Sequence, residues 1–296
     1  MDFVKTAEIN RILICRPNHR LGNLLLVTPT LQEVVKMFPR SKIDLLVQGD
    51  AAALIFKNYE NIDRIIELPN KPLKYFSVYM LEWLSIWRRR YDLVINVTYN
   101  SSSGRIATKI ARAKRRIFGD EISSLTTLTD IHMARRPVHN LRYVMYGLAI
   151  DSPVLPMNLK LGAMEIASGQ RILKNLVRNE RKTIGLFTYA TGKKCYPSSW
   201  WQEFYKRLKT EYPDFNIIEL LPINRISKLD FQALSFYSEN VREMGSVIAN
   251  TSVFIAADSG VMHLADAVGT PTVGLFSVTN MSVYCPYNNG SVGVDT

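Results

Sequence analysis

The chain has 296 residues, 47% of them hydrophobic and 21% charged, and a formal net charge of +11. This length exceeds what one hydrophobic core ordinarily serves, and the apolar content excludes a disordered chain, so two packed domains are expected. No apolar run reaches the roughly 18 to 20 residues that span a bilayer. Asp2, Lys5 and Glu8 stand where a signal peptide would carry its apolar core, so a cytoplasmic protein is expected.

The excess of positive charge favours an anionic partner. Its clusters lie in the first half: Arg88-Arg89-Arg90, Arg112 with Lys114-Arg115-Arg116, and Arg135-Arg136. Cys15, Cys195 and Cys285 are far apart and form no Cys-x-x-Cys pair. Reduced structural thiols are therefore expected, not a disulfide framework or a zinc site.

Arg11–Cys15 reads as a short buried strand, followed by a loop over 17–22 and an apolar-periodic helix over 24–38. Strands are expected at 42–47, 63–68 and 91–97, with a short helix at 50–57 and a long one at 73–90. In the long helix Tyr75, Tyr79, Trp83 and Trp87 recur every fourth residue, and arginines close it. Such a face suits a helix lying on an anionic membrane. A helix packed into the core shows the same stripe, and both readings are open.

Pro153, Pro156 and Gly162 mark a stretch of little periodicity. It divides an N-terminal domain, 1–152, from a C-terminal one, 163–296. Beyond it the alternation restarts. Helices are expected at 165–178, 199–210, 241–250 and 261–268, and strands at 183–187, 216–221, 253–257 and 272–276. Strand and helix alternating twice over predict an α/β protein of two Rossmann-like domains facing a cleft.

The most informative segment is VFIAADSGVMHLADAVGTPTVGLF, residues 253–276. A buried strand runs into Asp258-Ser259-Gly260 and then into a helix. Ser259 is a good N-cap, and Gly260 lets another molecule approach the backbone. The free N–H groups of the first turn and the helix dipole together form an anion site. An ordinary capped βαβ unit has the same sequence features, and a lone His263 equally suits an interior position. Asp258 beside the turn would repel a phosphate, so it reads as an acceptor for the turn's N–H groups or for a sugar hydroxyl.

The run DSGVMHLADAVGTPTVGLF resembles the signature of glycosyltransferase family 9, the ADP-heptose:lipopolysaccharide heptosyltransferases. The opening RILICRPNHRLGNLLLVTPTLQEVVKMFPRSKIDLLV is similar to that family's first strand–loop–helix–strand. Lys194-Cys195-Tyr196-Pro197 with Trp200 resembles its Lys-x-aromatic-Pro followed by Trp. The three matches fall in family order and span almost the whole chain.

The resemblance implies the GT-B architecture, with the donor held mainly by the C-terminal domain. Ser259, Gly260 and the following N–H groups would hold the ADP diphosphate, lined by Asp258 and His263. Lys194 would meet the donor phosphates, and Thr188 and Thr191 would supply hydroxyls nearby. The family's acidic ribose ligand has no clear counterpart, since Glu219 lies within a strand and Asn224 is not acidic. The family's first loop ends in Gly-Asp, whose Asp is the proposed general base, whereas this chain has Gly22-Asn23. An amide takes up no proton at neutral pH, so Asn23 is not that base. His19, four residues earlier, is either a substitute base or a binding or structural residue. The family's C-terminal helix is expected to be short or missing.

The implied reaction is an inverting transfer of a heptose, or a related sugar, from an ADP-sugar to a lipopolysaccharide core acceptor. The expected setting is the cytoplasmic face of the inner membrane, with peripheral contact. No cofactor and no metal are expected, there being no Asp-x-Asp motif, and no nucleic-acid partner, there being no recognition motif. Two rival readings are a sugar-nucleotide isomerase on the same fold and a non-catalytic sugar-nucleotide binder, the latter favoured by Asn23.

Overall fold

A computed structural model describes residues 9–49, 51–98, 100–122, 131–147 and 153–296. It divides into two compact units, Met1–Leu155 and Pro156–Thr296. Position 50 of the helix expected at 50–57, and positions 1–8 and 148–152 of the expected N-terminal domain, lie outside the described residues.

The first unit holds strands β1 (Arg11–Cys15), β2 (Lys42–Gln48), β3 (Ile62–Leu68), β4 (Arg90–Asn96) and β5 (Arg112–Ile117). They form one parallel sheet in the order β3-β2-β1-β4-β5. The central strands are almost wholly buried, as parallel strands covered on both faces must be. The order reverses direction between β1 and β4, and ligands of doubly wound sheets bind outside the strand ends at such a point.

The single helix expected at 24–38 is two, α1 (Leu21–Leu25) and α2 (Thr28–Met37). Pro29 has no N–H to continue a helix but suits a first turn, so the chain restarts there. Three further helices precede β3, β4 and β5: α3 (Ala51–Ile55), α4 (Phe76–Arg88) and α5 (Ser102–Ile110). Later comes α6 (Arg136–Tyr146), tied to α2 by a buried bidentate pair in which Arg142 donates to Glu33 at 2.7 and 2.9 Å.

In α4, Tyr79 and Trp83 meet edge-on at 5.8 Å and pack against the core, and Ile86 is buried. Tyr75 and Trp87 stay exposed. The expected aromatic stripe is thus shared between an inner and an outer face. The Arg88–Arg90 cluster is also divided. Arg89 turns inward, donating to the fully buried Asp44 at 3.2 Å and to Asp63 at 3.0 Å, while Arg88 and Arg90 stay exposed.

The second unit holds β6 (Thr183–Phe187), β7 (Asn216–Leu220), β8 (Leu234–Phe236), β9 (Val253–Ala257), β10 (Thr272–Phe276) and β11 (Val292–Asp295). All pair in parallel, in the order β11-β10-β9-β6-β7-β8. Counted from β6 this is the dinucleotide-fold order, with its switch point between β6 and β9.

The stretch expected to be a linker belongs to this unit from Pro156 onward. Met157 and Leu159 are buried, and Leu159 N–H donates to Ala267 O at 2.9 Å. Helices α7 (Ala163–Val177) and α9 (Val241–Ile248) pack face to face. Gly169 makes the approach close: a Cβ there would fall 2.2 Å from Ser246 O. Arg242 locks the same corner, donating to Glu165 at 2.6 and 2.7 Å and to the Leu159 and Lys160 carbonyls.

Candidate functional site

In the second unit β9 ends at Ala257, and Asp258 and Ser259 lead into α10 (Gly260–Ala267). Ser259 Oγ accepts from Met262 N–H at 3.3 Å and caps the helix. One side chain covers only one of the first-turn donors, so the N–H groups of Gly260 and Val261 are left for an outside acceptor. The far end of α10 is fixed through the fully buried Asp266, whose Oδ1 accepts from Tyr287 and Asn288 N–H at 3.1 and 2.9 Å.

The loop after β6 brings Lys194 to this turn. Gly192–Lys194 form a single 3₁₀ turn, and Pro197 opens α8 (Ser198–Glu211). Tyr196 stacks on Trp200 at 4.6 Å and Trp200 on Phe204 at 5.2 Å, all packed on the core. This aromatic stack anchors the turn, so the Lys-x-aromatic-Pro pattern is a device for holding one lysine in place.

Lys194 Nζ donates to Asp258 Oδ2 at 2.7 Å, and Thr279 Oγ1 donates to the same oxygen at 2.6 Å. The expected partners of Asp258, turn N–H groups or a sugar hydroxyl, are replaced at this oxygen by a lysine and a threonine. The carboxylate is buried while the lysine side chain stays one-third exposed. Cation, helix N-terminus and capping hydroxyl therefore share the C-terminal end of the sheet, at its switch point.

His263, on the first turn of α10, is buried, and its Nδ1 has no hydrogen-bond partner. Burial lowers its pKa from 6.5 to about 4, against the pull of Asp258 and with the help of Lys194. The ring is neutral at pH 7, with one nitrogen to give and one to receive.

Lys194, Asp258, Ser259, Gly260 and His263 are thus brought together. Thr191 is exposed at the start of the 3₁₀ turn. Thr188 is not on the surface: it is fully buried, and its hydroxyl donates to Glu219 Oε1 at 2.6 Å. Glu219, also fully buried, accepts in addition from Ser227 Oγ and from Lys228 N–H at 3.2 Å. Sequence reasoning missed Thr279 and this carboxyl network. A threonine three residues past β10 carries no local signal, and Glu219 is visible only as an acid inside an apolar strand.

In the first unit, the loop after β1 is tied by side chains. Asn18 Oδ1 accepts from Arg20 N–H and from Asn23 Nδ2, both at 2.9 Å. Arg16 Nη2 donates to Asn23 Oδ1 at 2.9 Å. His19 is exposed at the loop tip and packs beside Gly49, whose φ is +81°; a Cβ on Gly49 would lie 3.1 Å from that of His19. Gly49 also borders a cavity of about 420 Å³ lined by Glu67, Asn70, Lys71, Lys74 and Tyr75 among others. Among the described residues no three His, Cys, Asp or Glu side chains converge as metal ligands. Nor is any described helix long and apolar enough to cross a membrane.

Solved structures share this fold. The crystal structure of the glycosyl transferase family 9 from Veillonella parvula DSM 2008 superposes with a TM-score of 0.79 at 16% identity, covering 100% of this chain and 87% of that one. The E. coli heptosyltransferase WaaC with ADP gives 0.71 at 18% identity, over 96% of this chain and 93% of that one. The fold is that of the GT-B glycosyltransferases, two Rossmann-like units in succession.

Residues 239–295 match the sequence model of glycosyltransferase family 9 (heptosyltransferase). Lipopolysaccharide heptosyltransferase 3 of Escherichia coli is 24% identical over 293 residues, covering 92% of this chain and 85% of its own length. The last fifth of the chain is thus similar to the family 9 model, and the whole chain is a distant relative of this heptosyltransferase.

Proposed function

We propose that the protein transfers a heptose, or a closely related sugar, from an ADP-sugar to a lipopolysaccharide core acceptor with inversion at the anomeric carbon. One observation carries this reading: Lys194 stands 2.7 Å from Asp258 at the mouth of an N-capped helix. The donor diphosphate would accept from the Gly260 and Val261 N–H groups, and Lys194 would swing from the carboxylate to the phosphates. Fixed donors aimed at a leaving diphosphate stabilise charge that grows only as the bond breaks.

The acceptor hydroxyl oxygen then attacks the anomeric carbon from the face opposite the diphosphate. The carbon–oxygen bond to phosphate breaks, and ADP leaves with the electron pair. The hydroxyl proton needs a base, which Asn23 is not. We assign that task to His19, exposed on the same loop and beside the cavity at Gly49. The cytoplasmic face of the inner membrane is the proposed setting, because the proposed acceptor grows there.

A second reading, a non-catalytic ADP-sugar binder, is favoured by the Asn23–Asn18 bond, in which Asn23 Nδ2 donates and which commits position 23 to an amide. The experiment that separates the two is ADP release from ADP-heptose, with and without a deacylated core acceptor, for the natural protein and His19→Ala. Acceptor-dependent release that falls by about 10²- to 10⁴-fold in His19→Ala supports the transferase. ADP binding without release under any condition supports the binder.

A further inference from the structure

We propose that the outward face of α4 docks on a bilayer containing anionic phospholipid. A helix that only covers a sheet turns polar residues to solvent. Here Phe76, Met80, Leu81 and Trp87 are 61%, 48%, 62% and 52% exposed, and Leu73, just before the helix, is 94% exposed. Leu73, Phe76, Met80 and Trp87 follow the three- and four-residue steps of one helical face. The inward side needs none of them, since Tyr79, Trp83 and Ile86 already make the contact with the core.

The rim of this apolar face is basic. Lys71 and Lys74 lie at its start and Arg88 and Arg90 at its end, all exposed. The Arg112 guanidinium lies 5.8 Å from the Trp87 ring centre. Glu82, the one acidic residue of α4, accepts from Ser85 Oγ within the helix. An apolar strip framed by cations is what inserts into an anionic headgroup layer, where neither apolar area nor charge alone holds firmly. A second copy of the chain on this face would bring like charges together, whereas a phospholipid surface neutralises them. The surface shares Lys71 and Lys74 with the cavity beside His19, but the inference rests on no donor or acceptor contact and goes beyond the transfer reaction.

The test is co-sedimentation of the full chain with vesicles of phosphatidylglycerol and phosphatidylcholine, and with phosphatidylcholine alone. The natural protein is expected to pellet with the anionic vesicles and to be released by high salt. Its tryptophan emission should shift to the blue. The triple change Phe76→Ser, Met80→Ser, Trp87→Ser, and separately Arg88→Glu with Arg90→Glu, should each lower binding at least tenfold. Both variants should keep the natural urea midpoint, and Trp87→Phe should bind while losing the blue shift.

Equal pelleting of natural and variant chains overturns the proposal, as does equal binding to neutral vesicles or none to either. A dimer that the triple change dissociates would give this face to a second copy and overturn it too. None of these readouts requires donor or turnover, so failure of the transferase reading leaves them intact.

Discussion

Arg16 Nη2 stands 2.9 Å from Asn23 Oδ1, and because a guanidinium has only donors, the Asn23 amide must turn its oxygen to it. The nitrogen is thereby aimed at Asn18 Oδ1, which accepts it at 2.9 Å. Position 23 is a bridge, satisfied at both ends. In Asn23→Asp one oxygen would keep Arg16 as an ion pair, and the other would face Asn18 Oδ1 without a proton between them. A cost of about 1 kcal/mol follows from that lost bond. The restored carboxylate should make His19 dispensable: Asn23→Asp with His19→Ala retains acceptor-dependent ADP release, where His19→Ala alone loses about 10²-fold or more. Steady-state kinetics on the four-member cycle checks this.

Lys194→Met should weaken ADP binding by about 10- to 100-fold, the loss of one charge-assisted contact to phosphate. It should also destabilise the apo chain by about 1–3 kcal/mol, because Asp258 is buried and keeps only the Thr279 hydroxyl at that oxygen. Thr279→Val leaves the lysine in place and should affect stability more than affinity. Calorimetric titration with ADP and urea unfolding separate the two effects.

Acid should weaken the fold through His263. Its folded pKa is lowered by burial from 6.5 to about 4, so between those values the unfolded chain binds a proton that the folded chain refuses. Stability is complete above pH 6.5, falls as the pH drops through this window, and levels off below about 4. The slope is at most about 1.4 kcal/mol per pH unit and the whole loss about 3 kcal/mol. In His263→Gln this component should vanish, so the difference in urea stability between pH 7 and pH 5 shrinks relative to the natural protein.

Gly169→Ala should destabilise the second unit by about 1–3 kcal/mol or more, since the added methyl would sit 2.2 Å from the Ser246 carbonyl oxygen. Backbone on backbone has no rotamer to yield, so α7 must move off α9. Thermal unfolding should show the loss, with ADP affinity unchanged if the α10 turn keeps its place.

The central strands and the Asp258-Ser259-Gly260 turn were legible because buried parallel strands and N-caps are local patterns. The edges were not. Arg112–Ile117 carries four cations in six residues and reads as a basic cluster, yet it is β5, an edge strand whose exposed positions 112, 114 and 116 alternate with less exposed ones. Strands β8 and β11 span three and four residues, too short for periodicity to register. In the site, the lysine and the anion turn could be read from motif and capping chemistry. The Thr279 hydroxyl, the Thr188–Glu219 bond and the Arg16–Asn23 bridge join residues through folding, and their spacing in sequence carries no trace of it.

Among the described residues β5 is the last strand of its sheet, and an edge strand is a template on which another strand can grow. Arg112, Lys114 and Arg116 stand exposed along one face of that strand, and a second copy laid edge to edge would set arginine and lysine against arginine and lysine. The charge proposed to meet anions should therefore also keep its own copies apart. Replacing these three cations with threonine or valine should therefore trade solubility for ribbon-like association.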